Sequence, residues 1–384
     1  MAKNDMDDYP AISYLEKKAR RRLPHFSWEY LSSGTGAGEL VDRNTEALGR
    51  VVLVPQFMKG IQKPKTETEI FGVKYAAPIG IAPIGLTGLV WPGADQALAA
   101  AAAEHRIPYV LSTVGTASPE AAGEAADGMG WFQLYPPRKH EIRDDLLERA
   151  RDAGLTTLVV TADVPAGSRR ERQRKAKVRV PPVIGPQLIW QSVIHPAWAL
   201  GVLQHGLPKF RGLEKYTDKD TMANMARFVG SNLGGTLSWE YLAEVRELWD
   251  GPLVVKGILD PEDAQRCVDH GADAVQVSNH GGRQVDGAPT PVDALPSILD
   301  QIDGEVPVFF DSGVRSGLDV ARAIGLGADF VFCGRAFMFG LAALGPRGVG
   351  LAYRILQEDL VNAMFQVGCS ELTELRDRLG SPSA

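Results

Sequence analysis

The stretch Ala274-Val275-Gln276-Val277-Ser278-Asn279-His280-Gly281-Gly282-Arg283-Gln284 sets the reading of the whole chain. Its first four residues form an apolar run that reads as a buried strand. An Asn and two glycines then mark a tight turn. His280 and Arg283 therefore stand where a strand ends and a loop begins. In a parallel α/β protein that is the end of the sheet where ligands bind. Arg grips a planar carboxylate with two parallel hydrogen bonds. His exchanges protons near neutral pH. Either one alone would fit a polar loop closed by local hydrogen bonds. Together, beside glycines that let a ligand approach the backbone, they point to function.

Working outward, the same strand-then-loop unit recurs from Pro78 onward. Strand-like runs are Ile79–Ala82, Tyr109–Ser112, Trp131–Leu134, Thr157–Thr161, Leu253–Lys256, Ala274–Ser278, Val308–Asp311 and Phe330–Cys333. Helix-like stretches lie between them, such as Ala94–His105, Ile142–Ala153, Trp239–Trp249, Pro261–His270 and Gly317–Leu326. Gly271-Ala272 and Gly327-Ala328 read as helix stops. This alternation predicts a (β/α)8 TIM barrel, with a doubly wound sheet as the rival. Ahead of it, residues of about 9–75 read as a mainly helical segment. Within that segment Ser33–Gly38 forms a flexible connector, and Val51–Val54 and Val73–Tyr75 are short β candidates.

One connection breaks the spacing. Roughly ninety residues separate Thr161 from Leu253, far beyond an ordinary βα loop. The insertion, about 167–238, opens with seven basic residues against one acid between Arg169 and Arg179. An apolar stretch with Ile189, Trp190, Ile194, Trp198 and Leu200 follows. It reads as a lid, an oligomer interface or a peripheral membrane contact; the basic cluster and the aromatic residues suit an anionic lipid surface.

Composition narrows the function. A formal net charge of −6 argues against a general nucleic-acid binder. The three cysteines, Cys267, Cys333 and Cys369, form no CxxC pair, so neither a metal site nor a disulfide framework is expected. The acidic, polar start shows no secretory signal, and no run is apolar and long enough to span a bilayer. The expected location is cytoplasmic, with a peripheral position on the inner face of the cytoplasmic membrane as the further expectation. With 45% hydrophobic residues the chain can bury a large core, and one barrel domain spanning 1–384 is expected.

Strand ends of a barrel converge on one site. The exits here supply Ala82-Pro83-Ile84-Gly85, Ser112, Gln133 and Tyr135, Thr161 and Asp163 followed by Arg170, Lys256, His280 and Arg283, Asp311 to Arg315, and Gly334-Arg335. Gly313 and Gly334 with Arg315 and Arg335 read as a phosphate grip after the last two strands. Lys256 reads as a buried cation beside a cofactor ring.

Taken together, these motifs resemble the FMN-dependent 2-hydroxy-acid oxidases and dehydrogenases. The resemblance runs from about Leu23 to about Leu375. It rests on Leu23-Pro24 through Tyr30, Trp131 to Tyr135, Thr161 to Pro165 with Arg170-Glu171, Val255-Lys256-Gly257, the stretch quoted first, Asp311 to Arg315, and Gly334-Arg335-Ala336. It implies FMN as cofactor, contacted by Ala82, Pro83, Ile84, Ser112, Gln133, Thr161, Lys256 and Ser278. The ribityl and phosphate parts fall to Asp311, Gly313, Arg315, Gly334 and Arg335. It also implies Arg170, Arg283 and Tyr30 on the substrate carboxylate, Tyr135 on the 2-oxygen, and His280 as base oriented by Asp163. The product is a 2-oxo acid, and both direct hydride transfer and a carbanion path are compatible with these side chains. A homotetramer or octamer and a quinone-type acceptor are implied as well.

The chain departs from plant-type glycolate oxidases where Val114 and Gly167 replace bulky residues and where Ser168 replaces a glycine. Gly85, Trp91-Pro92 and Val367 to Ser370 resemble the mandelate dehydrogenase branch, and His195 to Trp198 the bacterial lactate dehydrogenases. An oxygen-using oxidase, a member acting on a peptide-derived substrate, a flavin-dependent isomerase and a non-catalytic flavin binder are the alternatives.

Overall fold

The computed structural model describes residues 5–178, 185–217 and 228–380. Eight parallel strands close into a barrel in sequence order: β3 (Ile79–Ile81), β4 (Tyr109–Ser112), β5 (Gly130–Leu134), β6 (Leu158–Thr161), β7 (Leu253–Ile258), β8 (Ala274–Val277), β9 (Val308–Asp311) and β10 (Phe330–Cys333), with β10 paired to β3. Closure excludes the doubly wound sheet.

Side-chain alternation explains why these short, fully buried strands make a barrel. Tyr109, Leu111, Phe132, Leu158, Val160, Leu253, Val255, Val275 and Phe310 belong to the core between strands and helices. Val110, Trp131, Val159, Val254, Ala274, Phe309 and Phe330 point the other way and fill the interior. A hairpin of β1 (Thr68–Ile70) and β2 (Val73–Tyr75) closes the N-terminal mouth. Its Tyr75 meets Trp131 and Phe330, and its Phe71 meets Trp131 and Phe309. That end is filled by apolar rings among the described residues.

The surrounding helices start where the sequence offers caps. Ser118, Ser238, Asp260, Thr290 and Ser316 each accept from a backbone N–H in the first helical turn that follows. Gly271 and Gly327 adopt positive φ after their helices, as a stop signal requires.

Three expectations need correction. Val51–Val54 forms no strand; Leu53 makes a single bridge to Leu379, because no neighbouring strand lies beside it to extend the ladder. Ser33–Gly38 is fastened rather than flexible. Thr35 N donates to the Gly282 carbonyl at 3.0 Å, and the backbone N–H groups of Gly36 and Gly38 donate to Glu171 and Asp286. Trp198 is buried, 5% exposed, and packs edge-on against Phe26 with its Nε1 donating to the Leu89 carbonyl.

The insertion carries helices Glu171–Lys175, Pro186–Val193 and Pro196–His205 and a 3-10 turn Arg211–Tyr216. Trp198 anchors it to the barrel, while Ile189, Trp190, Val193, Leu200 and Leu203 remain exposed. Its basic opening is partly engaged: Arg172 grips Glu29 with two bonds of 2.8 and 3.0 Å, and Arg169 lies 3.4 Å from Glu171. Arg179 lies outside the described residues. Among the described residues no helix is long and apolar enough to cross a membrane.

Candidate active site

The interior becomes polar at the C-terminal end. Two residues beyond the apolar layer, the same strands present Ser112, Gln133, Thr161, Lys256, Gln276 and Asp311, all buried. Ser112 Oγ donates to Gln133 Oε1 at 2.8 Å. Lys256 Nζ donates to Ser278 Oγ at 2.7 Å and lies 3.1 Å from Asp311 Oδ2, which also accepts from Gln276. Burial lowers the Lys256 pKa, but the Asp311 and Asp163 carboxylates outweigh it, and the ammonium stays charged. Ladder register shifts between Lys256 and Ile258. Gly257, at φ +102°, makes that bulge possible; a Cβ there would stand 2.5 Å from Asp163 Cγ.

The β8 exit builds the reactive corner. His280 is held at φ +58° with its backbone N–H on Ser278 Oγ, and Gly281 and Gly282 follow at positive φ. Reciprocal amide bonds between Asn279 and Asn44, 2.7 and 2.9 Å, fasten the turn to helix Glu39–Arg50. His280 Nδ1 is 2.8 Å from Asp163 Oδ1. The carboxylate holds the proton on Nδ1 and leaves Nε2, 3.5 Å from the Tyr135 hydroxyl, as the free base. Burial lowers the His280 pKa; Asp163 opposes the shift, Lys256 and Arg170 add to it, and the net is below the ordinary imidazole value. Asp163 stays ionised: burial pushes it up, but His280 and Lys256 hold it below the usual range. Burial and the Asp163 charge raise the Tyr135 pKa, keeping its hydroxyl a donor.

Arginines surround this corner. Arg283 Nη1 donates to the Tyr30 carbonyl at 2.9 Å and the guanidinium lies over the Tyr30 ring. The Tyr30 hydroxyl donates to the Gly85 carbonyl at 2.7 Å. Arg170, at φ +45°, is held by Ser168 Oγ at 2.9 Å and Gln284 Oε1 at 3.3 Å. Burial and the Arg170 charge push the Arg283 pKa down to about 10. Arg335 bonds the carbonyls of Leu31, Gly281 and Ser33, yet burial and the Arg315 and Arg283 charges hold it well below the ordinary value. Cations assembled against their own repulsion mark a site built for anions.

These groups open on a cavity of about 700 Å³. Tyr30, Ala82, Pro83, Ile84, Tyr135, Arg170, Lys256, His280, Arg283, Asp311, Gly313, Arg315, Gly334 and Arg335 line it, with Gly85, Val114 and Gly167. Ser112, Gln133, Thr161, Ser278 and Asp163 are not among the lining residues; Ser278 and Asp163 bond to Lys256 and His280, which are. Sequence reasoning missed Gln284, which links Arg170 to the Asp163 carbonyl, although it lies within the stretch quoted first. It also missed Arg138, Val229 and Leu233 on the cavity wall. There the far end of the insertion bridges the loop after β5, Pro137 to Leu233, and no local signal announces that pairing.

A family model described as FMN-dependent dehydrogenase matches residues 19–381. The chain belongs to the FMN-dependent dehydrogenase family. Among its curated relatives are L-lactate dehydrogenases of Pseudomonas aeruginosa strain LESB58, 40% identical over 93% of this chain and 94% of the relative, and of Pectobacterium atrosepticum, 39% identical over 93% of each. Among solved structures, the monotopic membrane protein (S)-mandelate dehydrogenase superposes with a TM-score of 0.92 at 34% identity, covering 96% of this chain and 98% of that one.

An FMN-dependent dehydrogenase needs a polar floor for the flavin ring and a cationic end for its phosphate. Gln133 Nε2 and Thr161 Oγ1 are buried without a partner among the described residues, at the floor of the barrel mouth. Arg315 and Arg335 stand at the β9 and β10 exits, and Lys256 stands on the floor. The residues fit FMN.

Proposed function

We propose that this protein uses FMN to oxidise an (S)-2-hydroxy acid of lactate to mandelate size to its 2-oxo acid, passing the electrons to a quinone-type acceptor. The observation that carries the proposal is one cavity in which Arg170 and Arg283 flank the His280–Asp163 pair. Arg170, Arg283 and Tyr30 bind the substrate carboxylate. Tyr135 donates to the 2-oxygen, and His280 Nε2 takes a proton from the substrate while Asp163 stabilises the resulting imidazolium. Bound FMN supplies the two-electron acceptor. Lys256, Gln133, Ser112, Thr161 and Ser278 would hold its ring against Ala82, Pro83 and Ile84; Asp311, Gly313, Arg315, Gly334 and Arg335 would hold its ribityl phosphate.

Gly85, shared with the mandelate dehydrogenase branch, supports a dehydrogenase over an oxygen-using oxidase. Exposed Ile189, Trp190, Val193, Leu200 and Leu203 support a peripheral place on the inner face of the cytoplasmic membrane, where quinone resides. A homotetramer or octamer is the assembly we expect, measurable by light scattering. Turnover of lactate, glycolate, mandelate and longer 2-hydroxy acids, each with oxygen and with a quinone analogue, tests the reading. We expect lactate or mandelate with the quinone analogue to be fastest; faster turnover with oxygen would make the protein an oxidase.

A further inference from the structure

A second cavity, of about 560 Å³, lies away from the barrel mouth. Its walls come from helix Ile12–Arg22, the start of helix Pro196–His205 and the turn around Leu344. Lys18, Arg21, Arg22, Arg347 and His195 line it. Lys18 and Arg21 are three residues apart, so they share one helix face. Neither has a carboxylate partner among the described residues. Arg22 is tied to the Ala343 carbonyl and lies over the Trp91 ring. Arg347 has one acid, Asp5, at 3.0 Å. Burial lowers the Arg22 pKa and the Arg347 charge adds to the shift, which Tyr9 only partly opposes. Lys18 and Arg21 are therefore the members of the cluster open to an anion from outside the chain.

What borders the cavity identifies the anion. Ile194 lines its edge and is half exposed. Ile194 follows directly on helix Pro186–Val193, whose Trp190 and Val193 are exposed, and that helix packs on helix Pro196–His205, which exposes Leu203. A basic recess beside an apolar face matches an amphiphile with a phosphate head and hydrocarbon tails. We propose that this recess binds the phosphate of an acidic phospholipid, while the acyl chains meet the apolar face of the insertion. The proposal rests on the membrane location inferred above and adds to it a choice of lipid. It also fixes how the protein sits, with the N-terminal helix at the headgroup level. Lys18, Arg21 and His195 are the donors for the phosphate oxygens.

The test uses the full-length holoenzyme and vesicles of phosphatidylcholine alone or with phosphatidylglycerol. Wild type, the double variant Lys18→Gln/Arg21→Gln and the apolar variant Trp190→Ser/Leu203→Ser are compared by co-sedimentation. Phosphatidylglycerol is expected to tighten wild-type binding about tenfold or more. Lys18→Gln/Arg21→Gln loses that gain but keeps its affinity for phosphatidylcholine and its turnover with a soluble dye. The apolar variant loses affinity for both vesicles. A double variant that keeps the phosphatidylglycerol gain overturns the recess while the membrane location stands. Wild type that binds neither vesicle overturns both. Calorimetry with inorganic phosphate alone separates the sources: binding to wild type but not to the double variant, with no vesicle binding, would make the site one for a free anion and overturn the lipid assignment.

Discussion

His280 Nδ1 meets Asp163 Oδ1 at 2.8 Å although 117 positions separate them in the chain. The contact decides which ring nitrogen is free to act as base. It also joins two strand exits, those of β6 and β8, across the intervening β7. The bulge at Gly257 makes room for it, since any side chain there would collide with Asp163.

Asp163→Asn removes the charge that stabilises the imidazolium and raises the His280 pKa. A base works unprotonated, so activity is lost as pH falls through its pKa. In the wild type the acid limb of kcat/KM lies below the ordinary imidazole value, because burial lowers the His280 pKa. In Asp163→Asn the limb moves to still lower pH and the plateau falls by about a hundredfold or more. A pH–rate profile of each protein checks both effects; a limb that moves upward contradicts the assignment.

Arg283→Lys is not a mild change. The guanidinium holds the carbonyls of Tyr30 and Ser33 while it lines the cavity. An ammonium cannot make the parallel pair of bonds to a carboxylate. We expect kcat/KM to fall roughly 10- to 100-fold with FMN content unchanged. An unchanged kcat/KM would show that the carboxylate binds elsewhere.

Ser168 stands where the resemblance leads one to expect glycine, and its hydroxyl supports the Arg170 guanidinium. Ser168→Ala should raise KM about tenfold, the loss expected for one hydrogen bond to a charged group, with kcat far less affected. Steady-state kinetics with the best substrate measures the split. A loss confined to kcat would mean that Ser168 serves the chemistry rather than the position of Arg170.

We expect the space beside Gly85 to set substrate size. A Cβ added there would meet Val114 Cγ2 at 2.7 Å, so Val114 covers the glycine, and Gly167 has open space around it. Val114→Trp should lower kcat/KM for mandelate about tenfold more than for glycolate. Equal losses would remove the size argument.

The barrel was legible because β-strand alternation is a local signal. Val110 and Ser112, Trp131 and Gln133, or Phe309 and Asp311 show in three residues both the interior direction and the change from apolar to polar. The candidate site residues could be proposed from the sequence because they follow strand ends. The supports were not: Asn44 holds Asn279 across 235 positions, and Glu29 holds Arg172 across 143. Those pairings exist only once the barrel has closed. Val51–Val54 misled because β-branched residues suit a strand, while pairing requires a neighbour. Trp198 misled because helix Pro196–His205 is apolar on several sides, and only the packing against Phe26 shows which side is inward.

Anaerobic mixing of the holoenzyme with L-lactate or (S)-mandelate, followed through the visible flavin absorbance, tests the central claim most directly. The wild type should bleach rapidly with at least one of them. His280→Ala should retain its flavin and bleach more slowly by about a hundredfold or more. Absence of bleaching with every 2-hydroxy acid in the wild type, or rapid bleaching that survives in His280→Ala, would contradict the account.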